Sequence, residues 1–283
     1  MVKRQSASVA TLLARAVRSP RGAVGVLSNY YDIRASDLDI DTFVDTLADV
    51  SGADPETVRS MYDECVSGTA MRRYERALDD HLTPFSSAAL YKRFVGPVKY
   101  ARLDRIALYC LVRLSNPQTV VETGVNWGES TLFILEALQQ NGQGELYSFD
   151  AGFNVASEHY PMPPNVDQVG FLVTDDLREQ WTLVIGDSIE EMEETLPGIP
   201  SVDLFYHDSL HSYDHMTAEF EIACQHMSDG GLFMSEDIDN NDAWEDFHAT
   251  HSDELVGDYR YYSMQGIETK REIGATVVSR GSD

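Results

Sequence analysis

Three carboxylates and one histidine of this chain are spaced so that they could form a metal-assisted acid–base site. Asp208 and His211 follow one strand-like segment, and Glu236 and Asp237 follow the next. Neighbouring strand ends lie about 5 Å apart, so the pattern predicts that the three carboxylates converge. Carboxylates that close repel unless a proton or a cation lies between them, and hard oxygen ligands favour Mg²⁺. A metal there would lower the pKa of a bound hydroxyl, and His211 is the candidate general base.

Simpler interpretations of these residues stay open. Carboxylates at strand ends of an acidic chain are also typical of a solvated surface. His207, His211 and His215 recur every four residues, which on one helix would indicate a transition-metal site. We disfavour that site because His207 should still lie on a strand. For Trp127 and Tyr213, a ligand contact and a structural role are both open.

A second set of residues is typical of a loop that binds a small cofactor. The run 120–131 reads VVETGVNWGEST, so that Glu122 ends a β-branched segment and Gly124 and Gly128 precede a helical one. Glycines allow a tight turn and leave no Cβ between the backbone and a ligand. Asp150 ends the next strand-like segment, at roughly the 20-residue spacing of an acid that binds a ribose hydroxyl. The alternative for Asp150 is a turn-capping aspartate.

These residues require a parallel sheet to bring them together. The periodicity predicts helices up to about residue 116 and alternating strands and helices beyond it. The predicted helices include 36–48, 55–66, 69–81, 103–114, 131–140, 174–179 and 214–227. The predicted strands are 119–122, 145–150, 181–185, 202–207 and 232–235, followed by 259–264 and 276–279, which we expect to be antiparallel. The long stretch 151–169 is a candidate substrate loop.

We therefore predict a doubly wound, Rossmann-like α/β sheet with an antiparallel C-terminal strand. Residues 1–100 are expected to form a helical N-terminal extension or lid, and residues 101–283 the α/β domain. The motifs VVETGVNWGEST, LYSFD, IGDS and DGGLFMSED occur in the order and spacing of class I S-adenosylmethionine-dependent methyltransferases, which the chain resembles over about residues 103–280.

This resemblance implies that S-adenosylmethionine is the cofactor. The implied contacts are Glu122, Gly124, Gly128 and Ser130 around its methionine part, Asp150 at its ribose, Asp187 and Ser188 beside its adenine, and Asp208. An ordinary helix cap is the alternative for Asp187 and Ser188.

The D-x-x-H sequence with the later S-E-D resembles the metal-dependent O-methyltransferases of macrolide sugars and the related cephalosporin hydroxylase-like proteins. This resemblance implies Asp208, Glu236 and Asp237 as Mg²⁺ ligands and His211 as the base. The implied reaction is methyl transfer to a hydroxyl oxygen of a small acceptor, with a sugar as one candidate. A non-catalytic cofactor-binding scaffold is one alternative. A nicotinamide-dependent oxidoreductase is another, which the missing first glycine of G-x-G-x-x-G disfavours.

Composition narrows the class of protein further. The formal net charge of -26 over 283 residues is spread along the chain, which argues against a nucleic-acid partner. The sequence contains no apolar run of roughly 18 residues that could span a membrane. Its three cysteines show no metal or disulfide spacing, so we expect a cytoplasmic protein. The charge also suggests a high-salt, halophilic cytoplasm, where salt screens self-repulsion. A homo-oligomer remains an open expectation.

Overall fold

The computed structural model describes residues 40–81, 103–152, 168–262 and 272–280, which are built around one mixed sheet. Its strands are β1 (Thr119–Thr123), β2 (Glu145–Asp150), β3 (Trp181–Ile185), β4 (Val202–His207), β5 (Met227–Ser235), β6 (Leu255–Tyr262) and β7 (Glu272–Val278). They lie in the order β3-β2-β1-β4-β5-β7-β6. The first five are parallel, and β7 is antiparallel to both β5 and β6. The predicted doubly wound sheet with an antiparallel C-terminal part is confirmed.

Helices cover both faces of this sheet. The described α-helices are α1 (Ile40–Ser51), α2 (Pro55–Ser67), α3 (Thr69–His81), α4 (Leu103–Ser115), α5 (Glu129–Asn141), α6 (Ser188–Thr195), α7 (Tyr213–His226) and α8 (Ala243–Thr250). On one face, α7 and α8 pack through buried aromatic rings such as Phe220, Phe233 and Phe247, of which the last two are stacked 4.9 Å apart. On the other face, the apolar helix α4 packs along α5.

Local chemistry explains several of the element boundaries. Helix α2 begins as predicted, because Asp54 accepts a hydrogen bond from the Thr57 amide at 2.9 Å and Pro55 follows as the first helical residue. The strand predicted at 232–235 begins earlier than expected, because residues 227–231 are also part of β5. Gly230 adopts φ +78°, and the pairing register with β4 shifts between Val202 and Leu204, so the strand continues through an irregularity.

Other predictions differ from the structure or lie outside its described part. The short helix α8 was not predicted, and the segment predicted as a helix near 174–179 is a 3₁₀ helix, Asp175–Gln180. Helix 36–48 is seen from Ile40 onward. Most of the candidate substrate loop 151–169 lies outside the described residues.

The N-terminal helices contact the α/β elements through polar side chains. Arg113 of α4 pairs with Glu64 of α2 at 2.7 Å, and the Tyr74 hydroxyl of α3 donates to Glu129 of α5 at 3.0 Å. All the described elements fall in one compact unit. The division into domains near residue 100 stays a prediction. No described helix is long and apolar enough to cross a membrane.

Candidate active site

The glycine loop after β1 packs directly against the loop after β4. Gly124 has φ +81°, and a Cβ built there would lie 2.0 Å from the carbonyl oxygen of Asp208. The Asp208 amide in turn donates to the Thr123 carbonyl at 2.8 Å. Gly128 has φ +87°, and its Cβ would lie 2.9 Å from the Cα of Gly170. At both glycines, therefore, a side chain would meet protein backbone, which explains the need for glycine. The contact of Gly124 and Gly128 with a cofactor stays a prediction.

Asp150 holds this loop in shape. One of its carboxylate oxygens accepts hydrogen bonds from the Val125 and Asn126 amides at 2.8 and 2.9 Å, and the other accepts from Gly152 at 2.7 Å. The turn-capping alternative is thus seen in the structure. The ribose contact of Asp150 stays a prediction.

Glu122 and Ser130 lie beneath the loop. Glu122 is fully buried, and its carboxylate accepts hydrogen bonds from the hydroxyls of Ser130, Thr131 and Ser148, the latter two at 2.8 and 2.7 Å. Burial raises the pKa of Glu122 although these hydroxyls act in the opposite direction. Glu122 therefore joins β1, β2 and α5 below the loop, and its contact with the methionine part of a cofactor stays a prediction.

The predicted adenine contacts have structural partners of their own. Asp187 caps α6 by accepting from the Ile189 amide at 3.0 Å, so the helix-cap alternative is present. Ser188 is buried, and its hydroxyl donates to Glu219. Their contact with adenine stays a prediction.

Trp127 and Tyr213 also have packing contacts. The Trp127 ring lies 5.8 Å from the Phe171 ring, and the Tyr213 hydroxyl donates to Asp246 at 2.8 Å.

Arg105, a buried residue of α4, lies between two of the predicted metal ligands. Its guanidinium donates to Glu236 Oε1 at 2.7 Å and to Asp208 Oδ2 at 3.1 Å. The Asp104 carboxylate lies 2.9 Å away and the Tyr206 hydroxyl 2.5 Å away. We call these five residues the Arg105 cluster. Burial opposes the charged form, but Asp104 and the other acidic neighbours raise the pKa of Arg105 well above its ordinary value. The cluster therefore contains a permanent cation.

Asp237 turns toward His211. Its backbone is left-handed, with φ 55° and ψ 34°, a conformation that aspartate adopts more readily than most residues. Its Oδ2 lies 3.2 Å from His211 Nδ1, and His211 Nε2 lies 3.7 Å from Asp208 Oδ1. A carboxylate at Nδ1 favours the tautomer in which Nε2 is the basic nitrogen.

The predicted convergence of three carboxylates on one metal is not seen. Glu236 contacts Arg105, whereas Asp237, whose backbone is left-handed, contacts His211. Within the described ranges, one set of three possible metal ligands has its donor atoms within 4.8 Å of one another. That set is Cys224, His251 and Glu254, which lies near the C-terminal ends of α7 and α8. The donor set at Asp208, Glu236 and Asp237 therefore does not fit the Mg²⁺ prediction.

A second buried network lies on the other face of the sheet and surrounds Glu219 of α7. The groups that bond to or pair with its carboxylate are Thr123 at 2.7 Å, His207 at 2.6 Å, Ser209 at 2.8 Å, His215 at 2.9 Å, and Ser188. We call these six residues the Glu219 cluster. Burial opposes ionisation, but the two histidines lower the pKa of Glu219 far below its usual value. The hydrogen bond to Glu219 raises the pKa of His215.

Sequence reasoning missed Arg105 and Glu219, although signals for both were present. Arg105 occurs in the first turn of an otherwise apolar helix, LDRIALYCLV, where a charge must find internal partners. Glu219 lies one turn after His215 on α7, which favours a pair between them.

The sheet order and the glycine loop define a class I methyltransferase fold, and comparison with known proteins agrees. Residues 121–238, from β1 to just beyond β5, match the family described as a methyltransferase domain. Comparison with curated proteins gave no significant match. Residues 121–238 are thus similar to a methyltransferase domain, and the predicted Rossmann-like fold is confirmed.

Solved structures with a similar fold include two O-methyltransferases. One is TomG from Streptomyces achromogenes, involved in tomaymycin synthesis and determined in complex with S-adenosylmethionine. It is 14% identical over 75% of this chain and 90% of its own, with a TM-score of 0.51. The other, from Bacillus cereus in complex with S-adenosylhomocysteine, is 15% identical over 84% of this chain and 96% of its own, with a TM-score of 0.44. At 14% identity the likeness to TomG concerns the fold alone.

Proposed function

We propose that this protein transfers a methyl group from S-adenosylmethionine to a hydroxyl oxygen of a small acceptor. The observation that supports it most is the position of His211. Its ring lies between Asp237 and Asp208, and the Asp208 backbone is in contact with the glycine loop at Gly124. This position supports the assignment of His211 as a general base beside the loop that we expect to bind the cofactor.

The glycine loop offers polar atoms to such a cofactor. In the described part of the chain, Asn126 Oδ1 and Trp127 Nε1 are buried without a hydrogen-bond partner. Buried polar atoms of this kind are costly unless a ligand or water satisfies them. A polar cofactor lying on the loop would do so, and the fit supports S-adenosylmethionine as the ligand.

In the proposed reaction, the cofactor, His211 and Asp237 have separate roles. S-adenosylmethionine, when bound, supplies a methyl group on a sulfonium that departs as a neutral thioether. His211 Nε2 accepts the hydroxyl proton as the acceptor oxygen bonds to the methyl carbon. Asp237, 3.2 Å from Nδ1, stabilises the imidazolium that forms. Holding the oxygen and the methyl group in line supplies much of the rate.

A sugar-like acceptor is part of this proposal. Asp208 and Asp237 flank His211, and carboxylate oxygens accept hydrogen bonds from neighbouring hydroxyls of a polyhydroxylated molecule. Metal assistance is not part of the mechanism, because Asp208 and Glu236 bond to Arg105.

Calorimetry tests the cofactor first. S-adenosylmethionine and NAD are titrated separately into the protein in high KCl, which screens the self-repulsion of so acidic a chain. We expect S-adenosylmethionine alone to bind. Binding of NAD, or of neither, would overturn the proposal.

Substitution of the base tests the chemistry. With methyl glycosides and catechol as acceptors, turnover is followed by release of S-adenosylhomocysteine. His211→Ala should lower turnover by roughly 10²–10⁴-fold and leave cofactor affinity nearly unchanged. The control is His226→Ala at the far end of α7, which should retain full turnover. Unchanged turnover in His211→Ala would remove His211 from the mechanism, and cofactor binding without turnover on any acceptor would favour the scaffold alternative.

A further inference from the structure

We propose that Arg105 takes the place of a divalent metal in this site, so that it holds Asp208 and Glu236 and makes the site independent of Mg²⁺. The binding experiments below stand apart from the proposed methyl transfer. Only the final activity measurement rests on it.

The contacts of Arg105 use the same carboxylates that a metal would need. Its planar guanidinium contacts Glu236 and Asp208 at 2.7 and 3.1 Å, and Asp104 at 2.9 Å. Glu236 also accepts a hydrogen bond from the Tyr206 hydroxyl. A metal ion that bound Asp208 and Glu236 together would have to displace these bonds.

Displacement is unfavourable because of where Arg105 lies. The residue is 5% exposed, and it sits in the first turn of a helix whose residues from 103 to 112 are all buried. A guanidinium that lost these partners would remain in the interior without hydrogen bonds, which is among the costliest arrangements in a protein. The cation is therefore a fixed part of the fold.

Arg105 also determines where the loop with the base leaves the sheet. Tyr206 and Asp208, on either side of the last residue of β4, both contact its guanidinium, and His211 follows three residues after Asp208. Arg105 is itself buried. It is a positioning residue that acts on His211 through Asp208.

Manganese binding distinguishes this arrangement from a metal site. Mn²⁺ is titrated into the wild-type protein and into Asp208→Asn in high KCl, and free Mn²⁺ is measured by electron paramagnetic resonance. We expect the acidic surface to bind some Mn²⁺ in both proteins. The difference in the number of bound ions between the two proteins therefore reports on the site at Asp208. We expect no difference. One extra ion bound by the wild type, and lost in Asp208→Asn, would overturn the proposal.

Removal of the guanidinium should have the opposite effect. In Arg105→Met the freed carboxylates can bind one Mn²⁺ that the wild type does not bind, and Mn²⁺ should raise the melting temperature of this variant more than that of the wild type. The added Asp208→Asn substitution should abolish both gains, and Arg113→Met in the same helix should show neither. A folded Arg105→Met protein without this gain would overturn the proposal. If the variant does not fold, the comparison of the wild type with Asp208→Asn decides.

Turnover provides the last measurement. We expect EDTA and added Mg²⁺ each to change the methyl-transfer rate by less than twofold. In Arg105→Lys, which keeps the charge but not the planar fork, we expect kcat to fall about tenfold while the Kd for S-adenosylmethionine stays within twofold. A rate abolished by EDTA and restored by Mg²⁺ would overturn metal independence. Absence of cofactor binding would overturn the proposed function and leave the Mn²⁺ result valid.

Discussion

The two buried polar clusters of this protein have central groups of opposite charge. The Arg105 cluster surrounds one cation with three carboxylates and a phenol, whereas the Glu219 cluster surrounds one carboxylate with hydroxyls and imidazoles. They lie on opposite faces of the sheet. Both hold the end of β4, because Tyr206 and Asp208 contact Arg105 while His207 and Ser209 contact Glu219.

The comparison shows how a strand can be fixed at its end from both faces. Successive side chains of a strand alternate between the faces, so four consecutive residues divide evenly between the clusters. The loop that carries His211 therefore leaves the sheet from a point held on two sides. The clusters should differ in strength, because the first depends on buried opposite charges and the second on hydrogen bonds to one charge.

Removal of the cation should have the largest effect. We expect Arg105→Met to lower the free energy of unfolding by about 3–5 kcal/mol, because it leaves buried carboxylates without their partner. Urea denaturation measures this loss. Arg113→Met, in the same helix but half-buried, should lose only about 1 kcal/mol. Equal losses in the two variants would mean that Arg105 stabilises the protein no more than a half-buried arginine in an ordinary ion pair does.

Removal of the anion should rank second. Glu219→Gln keeps the shape of the side chain but removes its charge. It also replaces one acceptor oxygen by an amide NH₂ group, which cannot accept hydrogen bonds from the surrounding donors. We expect a loss of about 2–3 kcal/mol in the same denaturation experiment. The control is Glu221→Gln in the same helix, whose partly exposed carboxylate pairs with His251 at 2.9 Å, and we expect it to lose less than about 1 kcal/mol. A loss larger than that of Arg105→Met would reverse the ranking of the two clusters.

Removal of a single hydroxyl group from each cluster compares the stability that one hydrogen-bonding group contributes. Tyr206→Phe removes a buried phenol that bonds to both Arg105 and Glu236, and we expect a loss of about 2 kcal/mol. Ser209→Ala removes a half-buried hydroxyl whose place water can take, and we expect a loss of about 0.5–1 kcal/mol. If the serine proved the more costly, the Glu219 cluster would be the stronger one.

The smallest expected effect is a pH dependence confined to the Glu219 cluster. Glu219 raises the pKa of His215 above its ordinary value of 6.5. The folded state thus binds the proton more tightly than the unfolded chain. The stabilisation is complete below the unfolded pKa and is lost as the pH rises through the folded pKa.

Unfolding free energies at pH 6 and pH 8 measure this contribution. Wild type and Tyr206→Phe should lose stability equally between the two values, because Arg105 stays protonated throughout. His215→Gln should lose less. An unchanged slope in His215→Gln would remove this histidine as the source.

The sequence predicted the sheet more completely than the site. The five parallel strands and the start of α2 at Pro55 depend on local patterns, and their predictions are confirmed. Residues 236 and 237 are adjacent in sequence, which suggested that both reach one point. Their different directions depend on the bend after β5 and on the left-handed conformation of Asp237. Helix α8 was missed because its eight residues, AWEDFHAT, give too short a periodic pattern.

The partner of Glu236 could not be identified from neighbouring residues. Arg105 lies far away in the sequence, and the contact requires α4 to pack across the end of β4. A charge in an apolar helix indicates that some internal partner exists. Only the three-dimensional packing shows which one.

The contact at Gly124 has a consequence for redesign. The carbonyl of Asp208 fills the space that a side chain would need at Gly124, so segments 123–128 and 206–211 fit each other as a matched pair. An engineer who grafts a new acceptor loop onto this scaffold should therefore transplant both segments from the same donor. A graft of one segment alone would bring non-matching residues together at the contact between Gly124 and the Asp208 carbonyl.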